Sequence, residues 1–276
     1  MLTNSSSFAQ PLCHEDESSS LLQFKHSFIM NKYASSDPSA YSKVESWKKL
    51  EGKSSDCCSW DGIECDHDTG HVIGLDLSSS FLYGSFNSNN SLFNLVHLRR
   101  LNLLYNHFNY SQIPPKIGHL PRLRSLNLSN YAFFGQIPSN VSYLSKLDYL
   151  DLSGNPDWNY GNLLKLEKPN LEVLVQNLTN LKVLDLNWVN VSSTVTRALS
   201  NMSLLTTLSL ESCQLYDEFP TTIFQLPNLQ ILRLENNVDL TGYLPEFHPS
   251  GPLKQLAISR NNFSGTLLIQ LVISNP

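Results

Sequence analysis

The chain has 276 residues, is 41% hydrophobic and 16% charged, and carries a formal net charge of −5. Those proportions suit a folded chain of one large or two small domains. The acidic balance and the lack of a basic run argue against nucleic acid as a partner.

Residues 1–12 contain no apolar h-region and read as a residual or absent signal region, with SSSFAQ shaped like the tail of one. Residues 13–70 read as a cap. Within it, Ser18–Ser20 followed by LLQFKHSFIM predicts a short amphipathic helix with Leu21, Leu22, Phe24 or Lys25, Phe28 and Ile29 toward one side. Glu15, Asp16 and Glu17 precede it and suit a helix N-terminus. YASSDPSAYSK reads as a loop. Trp47 and Trp60 are expected to cover the exposed apolar end of the first repeat.

Cys13, Cys57, Cys58 and Cys65 cluster in the first quarter, an even set that points to disulfides in an oxidising compartment. Three pairings are open, and adjacency makes a Cys57–Cys58 bridge the sterically poorest. A zinc site is disfavoured, because two cysteines are adjacent and no C-x-x-C pair occurs.

Residues 71–265 read as about eight leucine-rich repeats. The best-formed unit, Leu226–Pro245, spaces Leu226, Leu229, Leu232 and Leu234 by three, three and two, then adds Asn237, Leu240 and Gly242. In L-x-L two leucines point inward and the residue between them outward. The asparagine can satisfy turn backbone, since its amide both donates and accepts. Equivalent units hold Leu77, Leu103, Leu128, Leu152, Leu186, Leu210 and Ile258. The step from Leu128 to Leu152 is 24 residues, as are the steps among Leu186, Leu210, Leu234 and Ile258. Leu152 to Leu186 is 34, so an insertion near 155–175 is expected to bulge from one edge or the convex side. Tyr131 and Cys213 take asparagine positions, and Cys213 reads as a small buried residue with a weak S–H donor. Residues 266–276 break the pattern and read as a truncated irregular tail.

Sequons fall at Asn4, Asn89, Asn109, Asn127, Asn140, Asn177, Asn190, Asn201 and Asn262, and together they tilt toward the secretory pathway. No run reaches the length of a membrane span, so the expectation is a fragment or a truncated gene model, with a soluble protein second.

The strings CHEDE from Cys13, LLQFK, and DCCSWDGIECD resemble the N-terminal cap of plant extracellular leucine-rich-repeat proteins. GQIP at Gly135–Pro138, SQIPPKIG at Ser111–Gly118 and TGYLP at Thr241–Pro245 resemble the plant-type repeat extension. HDTGHVIGLDLSSS, LVQNLTNLKVLDL and FPTTIFQLPNLQ are similar to receptor-like proteins of the disease-resistance type, in the N-terminal portion of their ectodomain. The resemblance implies an α/β solenoid, a right-handed superhelix with a concave parallel sheet and a cysteine-containing cap. It implies pairing of Cys13 with Cys57 and Cys58 with Cys65. It further implies the extracellular side of the plasma membrane, a defence role, and signalling through co-receptor kinases.

No catalytic signature stands up. Gly52-Lys53-Ser54 lacks the P-loop glycine at Trp47, and neither G-x-S-x-G nor H-E-x-x-H occurs. Asp66, His67, Asp68 and His71 form the most metal-like group, and read as a polar turn. No enzyme activity, metal or cofactor is therefore expected. What remains is a binding face for a peptide or protein, with Arg100, Asn102, Tyr105, Asn127, Asn130, Asp151, Asp185, Trp188, Glu211, Arg233, Glu235 and Arg260 beside the inward leucines. Tyr105, Trp188 and Arg233 are the sharpest candidates, since exposed aromatics and arginines dominate binding energy. A glycan on Asn127 would block part of that face. A second reading is a secreted inhibitor resembling polygalacturonase-inhibiting proteins.

Overall fold

The computed structural model describes residues 11–48, 56–130, 133–157, 161–162, 164–248 and 250–265. Tyr131, Asn4, residues 1–10 and the tail from 266 lie outside them.

The L-x-L segments form a nine-stranded sheet. Its parallel strands are Val72–Asp76, Arg100–Asn102, Ser125–Asn127, Tyr149–Asp151, Val183–Asp185, Thr207–Ser209, Ile231–Arg233 and Gln255–Ala257. Register follows the leucines: Leu75, Leu101, Leu126, Leu150, Leu184, Leu208, Leu232 and Leu256 stand side by side. All eight are buried, as are the second-row leucines from Leu77 to Leu234. One residue of slippage would turn these rows into solvent, so burial fixes the register.

On the opposite side short 3₁₀ turns replace strands, as at Ser91–Asn94, Pro115–His119, Ser139–Tyr143, Arg197–Asn201 and Thr221–Gln225. They close the apolar layer with Leu92, Ile117, Val141, Leu199 and Ile223, all fully buried. Prolines 114, 138 and 220 start three of them, where a missing N–H costs nothing. A small second sheet joins Tyr216–Glu218, Asp239–Tyr243 and Asn262–Ser264 in parallel.

Between each strand and the next turn runs an asparagine ladder. Asn237 Nδ2 donates to the carbonyls of Leu210, at 2.9 Å, and Leu234, at 2.7 Å. Its Oδ1 accepts from the amides of Cys213 and Leu215, both at 3.0 Å. Asn106 and Asn155 repeat the arrangement. The ladder is interrupted in the middle by buried Val189 and Cys213. There the Leu186 carbonyl is met by the Val189 amide at 2.9 Å and Cys213 Sγ at 3.1 Å. Burial also pushes the Cys213 thiol far up, so it stays protonated and donates.

The inserted stretch is less irregular than its sequence suggests. Pro156–Asp157 and Gly161–Asn162 pair as an antiparallel hairpin. After it, Leu164–Lys165 pairs in parallel with Gly135–Gln136, and the helix Leu171–Val175 occupies the place of a 3₁₀ turn. Leu164, Leu166, Leu171, Leu174 and Val175 are buried, so the extra residues reduce to the hairpin region.

The cap differs from expectation in its helix. It spans Glu15–His26, so the acidic residues form its first turn rather than preceding it. Lys25 and His26 close the last turn, complementing the helix dipole. Leu21, Phe24 and Phe28 are buried, but Ile29 is 70% exposed. The helix has ended by then, and Ile29–Met30 instead pairs antiparallel with Leu82–Tyr83. Disulfides join Cys13 to Cys57 and Cys58 to Cys65, with Cα separations of 5.4 and 5.5 Å. Ile63–Cys65 adds an antiparallel strand that covers the first edge of the sheet.

Trp47 is the centre of this cap. It is 1% exposed, stacks on Trp60 at 5.6 Å, and donates its indole N–H to the Asp61 carbonyl at 2.9 Å. Trp47→Ala is expected to cost about 3–5 kcal/mol, from the cavity and the lost donor together. Urea denaturation followed by circular dichroism measures it; a loss below about 1 kcal/mol would mean the cap is not coupled to the sheet. Among the described residues no helix is long and apolar enough to cross a membrane.

Candidate ligand-binding face

The residue between the two leucines of each strand points away from the core, so the sheet presents one side-chain column per position. At the L-x-L position the column runs Asp76, Asn102, Asn127, Asp151, Asp185, Ser209, Arg233 and Ala257. Its first five members share a structural task. The Oδ1 atoms of Asn102, Asn127, Asp151 and Asp185 accept the amide two residues on, at 3.1, 3.0, 3.0 and 3.0 Å. Asp76 does the same at 2.9 Å. This Asx turn ends the strand and steers the chain into the corner. Four of the candidate residues are thus explained in part by the repeat itself.

Arg233 cannot play that part. It occupies the column with no acceptor to offer, and its Nε is buried without a hydrogen-bond partner among the described residues. The carboxylates of Asp185 and Glu235 are within its electrostatic reach. Burial pushes the Asp185 carboxyl up to about 7; nearby Asp151 and Glu211 add to the rise, while the Asn187 amide and Arg233 oppose it. Glu235 is raised in the same direction, by burial first and then by Glu211. Tyr149, whose hydroxyl reaches Asp151 Oδ2 at 3.4 Å, is raised to about 12 by burial first and then by the Asp151 and Asp185 carboxylates.

Tyr105, Asn130, Trp188 and Arg260 stand elsewhere. They occupy the corner one residue before the asparagine position, with φ of 53°, 53°, 65° and 57°. Every described repeat turns through the left-handed region there, which for a non-glycine residue costs about 1 kcal/mol. These four side chains therefore line the rim of the sheet rather than its floor. Trp188 is 41% exposed. Arg260 Nη1 donates to Asn236 Oδ1 at 3.2 Å, and Asn236 Nδ2 donates to Glu211 Oε1 at 3.2 Å. Glu211 is held from below, its amide donating to Asn187 Oδ1 at 2.7 Å.

At the cap end, Arg100, Asn102 and Asn127 border a separate depression of about 440 Å³ with Gly74, Ser125 and Tyr149. Arg100 pairs with Glu64 of the cap strand. Gly74 makes room for that pair, since a Cβ there would meet Glu64 Cβ at 3.0 Å and Arg100 Nη2 at 3.4 Å. Glu64, Tyr149, Asn187 and Asn236 are the residues that sequence reasoning missed. Tyr149 holds the strand position that flagged Arg100, so extending that register finds it. Asn187 and Asn236 act only through contacts between repeats.

The metal-like group near the cap disperses. Asp66 Oδ1 accepts from Thr69 N and Oγ1 at 3.2 and 3.1 Å, Asp66 Oδ2 takes Arg99 Nη2 at 2.9 Å, and His67 and Asp68 are exposed. Of the sequons, Asn89, Asn109, Asn177, Asn201 and Asn262 are exposed and Asn127, Asn140 and Asn190 half-buried.

Comparisons with known proteins agree with this architecture. Residues 14–66 match the leucine rich repeat N-terminal domain. The chain is 40% identical over 270 residues to Receptor-like protein 6 of Arabidopsis thaliana, covering 95% of this chain and 27% of that one. It is 42% identical over 264 residues to Receptor-like protein Cf-9 of Solanum pimpinellifolium, covering 92% and 29%. It thus spans less than a third of the length of these relatives. Among solved structures it resembles the Arabidopsis receptor kinase HAESA in complex with the peptide hormone IDA and the co-receptor SERK1. That match has a TM-score of 0.58 and 25% identity, and covers 91% of this chain and 46% of that one. The chain belongs to the plant leucine-rich-repeat receptor-like proteins and carries the N-terminal repeat cap.

Proposed function

We propose that this chain is the N-terminal, ligand-recognising part of an extracellular receptor-like protein in plant defence. A peptide or protein ligand lies on the concave face, and a co-receptor kinase carries the signal onward at the plasma membrane. The reading is one of binding rather than catalysis. HAESA, solved with a peptide hormone and a co-receptor, supports the class of ligand and partner. The observation that carries the reading is Arg233, an arginine with an unpartnered buried Nε in a column where Asx turns are the rule. Trp188, exposed on a rim position where a bulky residue is costly, supports the same face.

Glycans on the exposed sequons would leave the sheet open. One on Asn127 would cover the cap-end depression and confine the ligand to the strands from Tyr149 onward.

Immobilised chain exposed to a library of synthetic extracellular peptides tests this. Peptides that bind should lose about tenfold or more in affinity with Arg233→Ala or Trp188→Ala. His119→Ala, on the convex turn Pro115–His119, should leave affinity unchanged. Binding indifferent to both concave substitutions would overturn the assignment.

A further inference from the structure

We propose that Glu17, His71 and His97 form a binding site for one divalent transition-metal ion of the zinc type, at the joint between the cap helix and the first two repeats. The three residues come from the helix, the approach to the first parallel strand and the turn before the second, so no sequence motif announces them. Glu17 has a side chain only 5% exposed. Its Oε2 accepts from the Val72 amide at 2.8 Å. Its Oε1 faces His71 Nδ1 at 3.3 Å and His97 Nδ1 at 3.4 Å. All three ligand atoms lie within 4.8 Å of one another.

Two imidazole nitrogens and a carboxylate oxygen are a donor set that suits zinc and leaves a fourth position for water. Ligands about 2.0–2.2 Å from a tetrahedral ion stand roughly 3.3–3.6 Å apart, and the two separations from Glu17 Oε1 match that edge. The buried carboxylate is already fixed by the Val72 amide, which orients it as an outer-shell partner orients a metal ligand.

The imidazoles also form a column. His14 stacks on His71 at 3.9 Å and 6°, and His71 on His97 at 3.6 Å and 18°. His14 is fixed separately, its Nε2 lying 3.0 Å from the Thr69 carbonyl. Nearly parallel rings cannot aim their in-plane lone pairs at one point. Metal binding therefore turns His97, whose side chain is 22% exposed, and opens the outer half of the stack, while His71 keeps its contact with His14. The ion would then tie helix, first repeat and second repeat together, and stabilise the cap by mass action.

The test is titration of the full chain, freed of metal by chelation, with zinc chloride in a calorimeter. Cobalt(II) serves as a spectroscopic probe of the coordination. One ion per chain is expected, with a higher melting temperature in zinc than in chelator. Glu17→Gln, which keeps an acceptor for the Val72 amide, and His97→Ala should each weaken binding by about a hundredfold or more. His26→Ala, on the exposed end of the helix, should not. Circular dichroism checks folding; if Glu17→Gln fails to fold, the partly exposed His97→Ala carries the result alone. No saturable binding, or binding unchanged by His97→Ala, overturns the site.

Discussion

Asn237→Ala should destabilise the protein by about 3–5 kcal/mol, far more than loss of one surface amide would. The side chain satisfies two amides and two carbonyls that are buried between repeats, and alanine leaves them without partners. Each orphaned buried group costs about 1–3 kcal/mol, and some relaxation or entry of water offsets part of the sum. Asn237→Asp keeps the acceptor but sets a carboxylate against the carbonyls of Leu210 and Leu234, so it should be no better. Because repeats interact mainly with their neighbours, the loss should also uncouple the units on either side and broaden the transition. Cys213→Ala is the contrast. Its thiol gives only two weak contacts, to Leu186 O at 3.1 Å and Glu211 O at 3.4 Å, so about 1–2 kcal/mol is expected. Urea midpoints for the three variants test this, and an Asn237→Ala cost below that of Cys213→Ala would refute the ladder as a principal source of stability.

The second large effect is on pH dependence. The Asp185 carboxyl is raised from 3.8 to about 7 in the folded protein, mainly by burial. The folded form therefore holds a proton that the unfolded chain has released. The stability linked to this group is complete below about pH 4 and is lost as pH rises through about 7, by about 2–4 kcal/mol. Glu235, raised by burial, acts with the same sign. Asp37, Asp66 and Asp76 are lowered by their hydrogen bonds, and lose their contribution only as pH falls into the acid range. Asp185→Asn isolates the effect, since its amide oxygen can still accept from the Asn187 amide. Wild type and variant should be about equally stable near pH 4, and the variant more stable at pH 8. A variant less stable at pH 8 would show that Arg233 stabilises the Asp185 carboxylate more than burial penalises it. The same balance bears on recognition: a ligand that brings a cation to Asp185 lowers its pKa and removes the penalty, so such a ligand should bind more tightly as pH rises toward 7.

The repeat is written in the sequence with little ambiguity. Leucines at three, three and two, recurring at 24 or 25 residues, cannot be buried unless the units stack, and stacking in register yields the sheet. Periodicity also located the candidate face, because L-x-L leaves one residue outward whatever that residue is. It could not separate residues that end strands from residues free to bind. Asn102, Asn127, Asp151 and Asp185 look like exposed polar candidates, and only the Asx contacts reveal their structural share. Nor could it place Tyr105, Trp188 and Arg260 on the rim, since that depends on a left-handed corner rather than on strand alternation.

Sequence by itself determined the solenoid, its cap, the inward rows and the even cysteine set, because each follows from local spacing that repeats or from residue type. Tertiary structure alone decided what long separations bring together. The helix begins at Glu15 and stops before Phe28, because the cap has to pair Ile29–Met30 with the first repeat. Part of the apparent insertion is core, because Leu164, Leu166 and Leu171 find the layer that their neighbours built. Glu17, His71 and His97 meet across 54 and 80 residues of chain. Arg233 acquires its carboxylate neighbours, Asp185 and Glu235, from another repeat and its own. Spacing sets which way a side chain points, but the charge and burial around it come from stacked neighbours about 24 residues away, and those exist only once the repeats have packed.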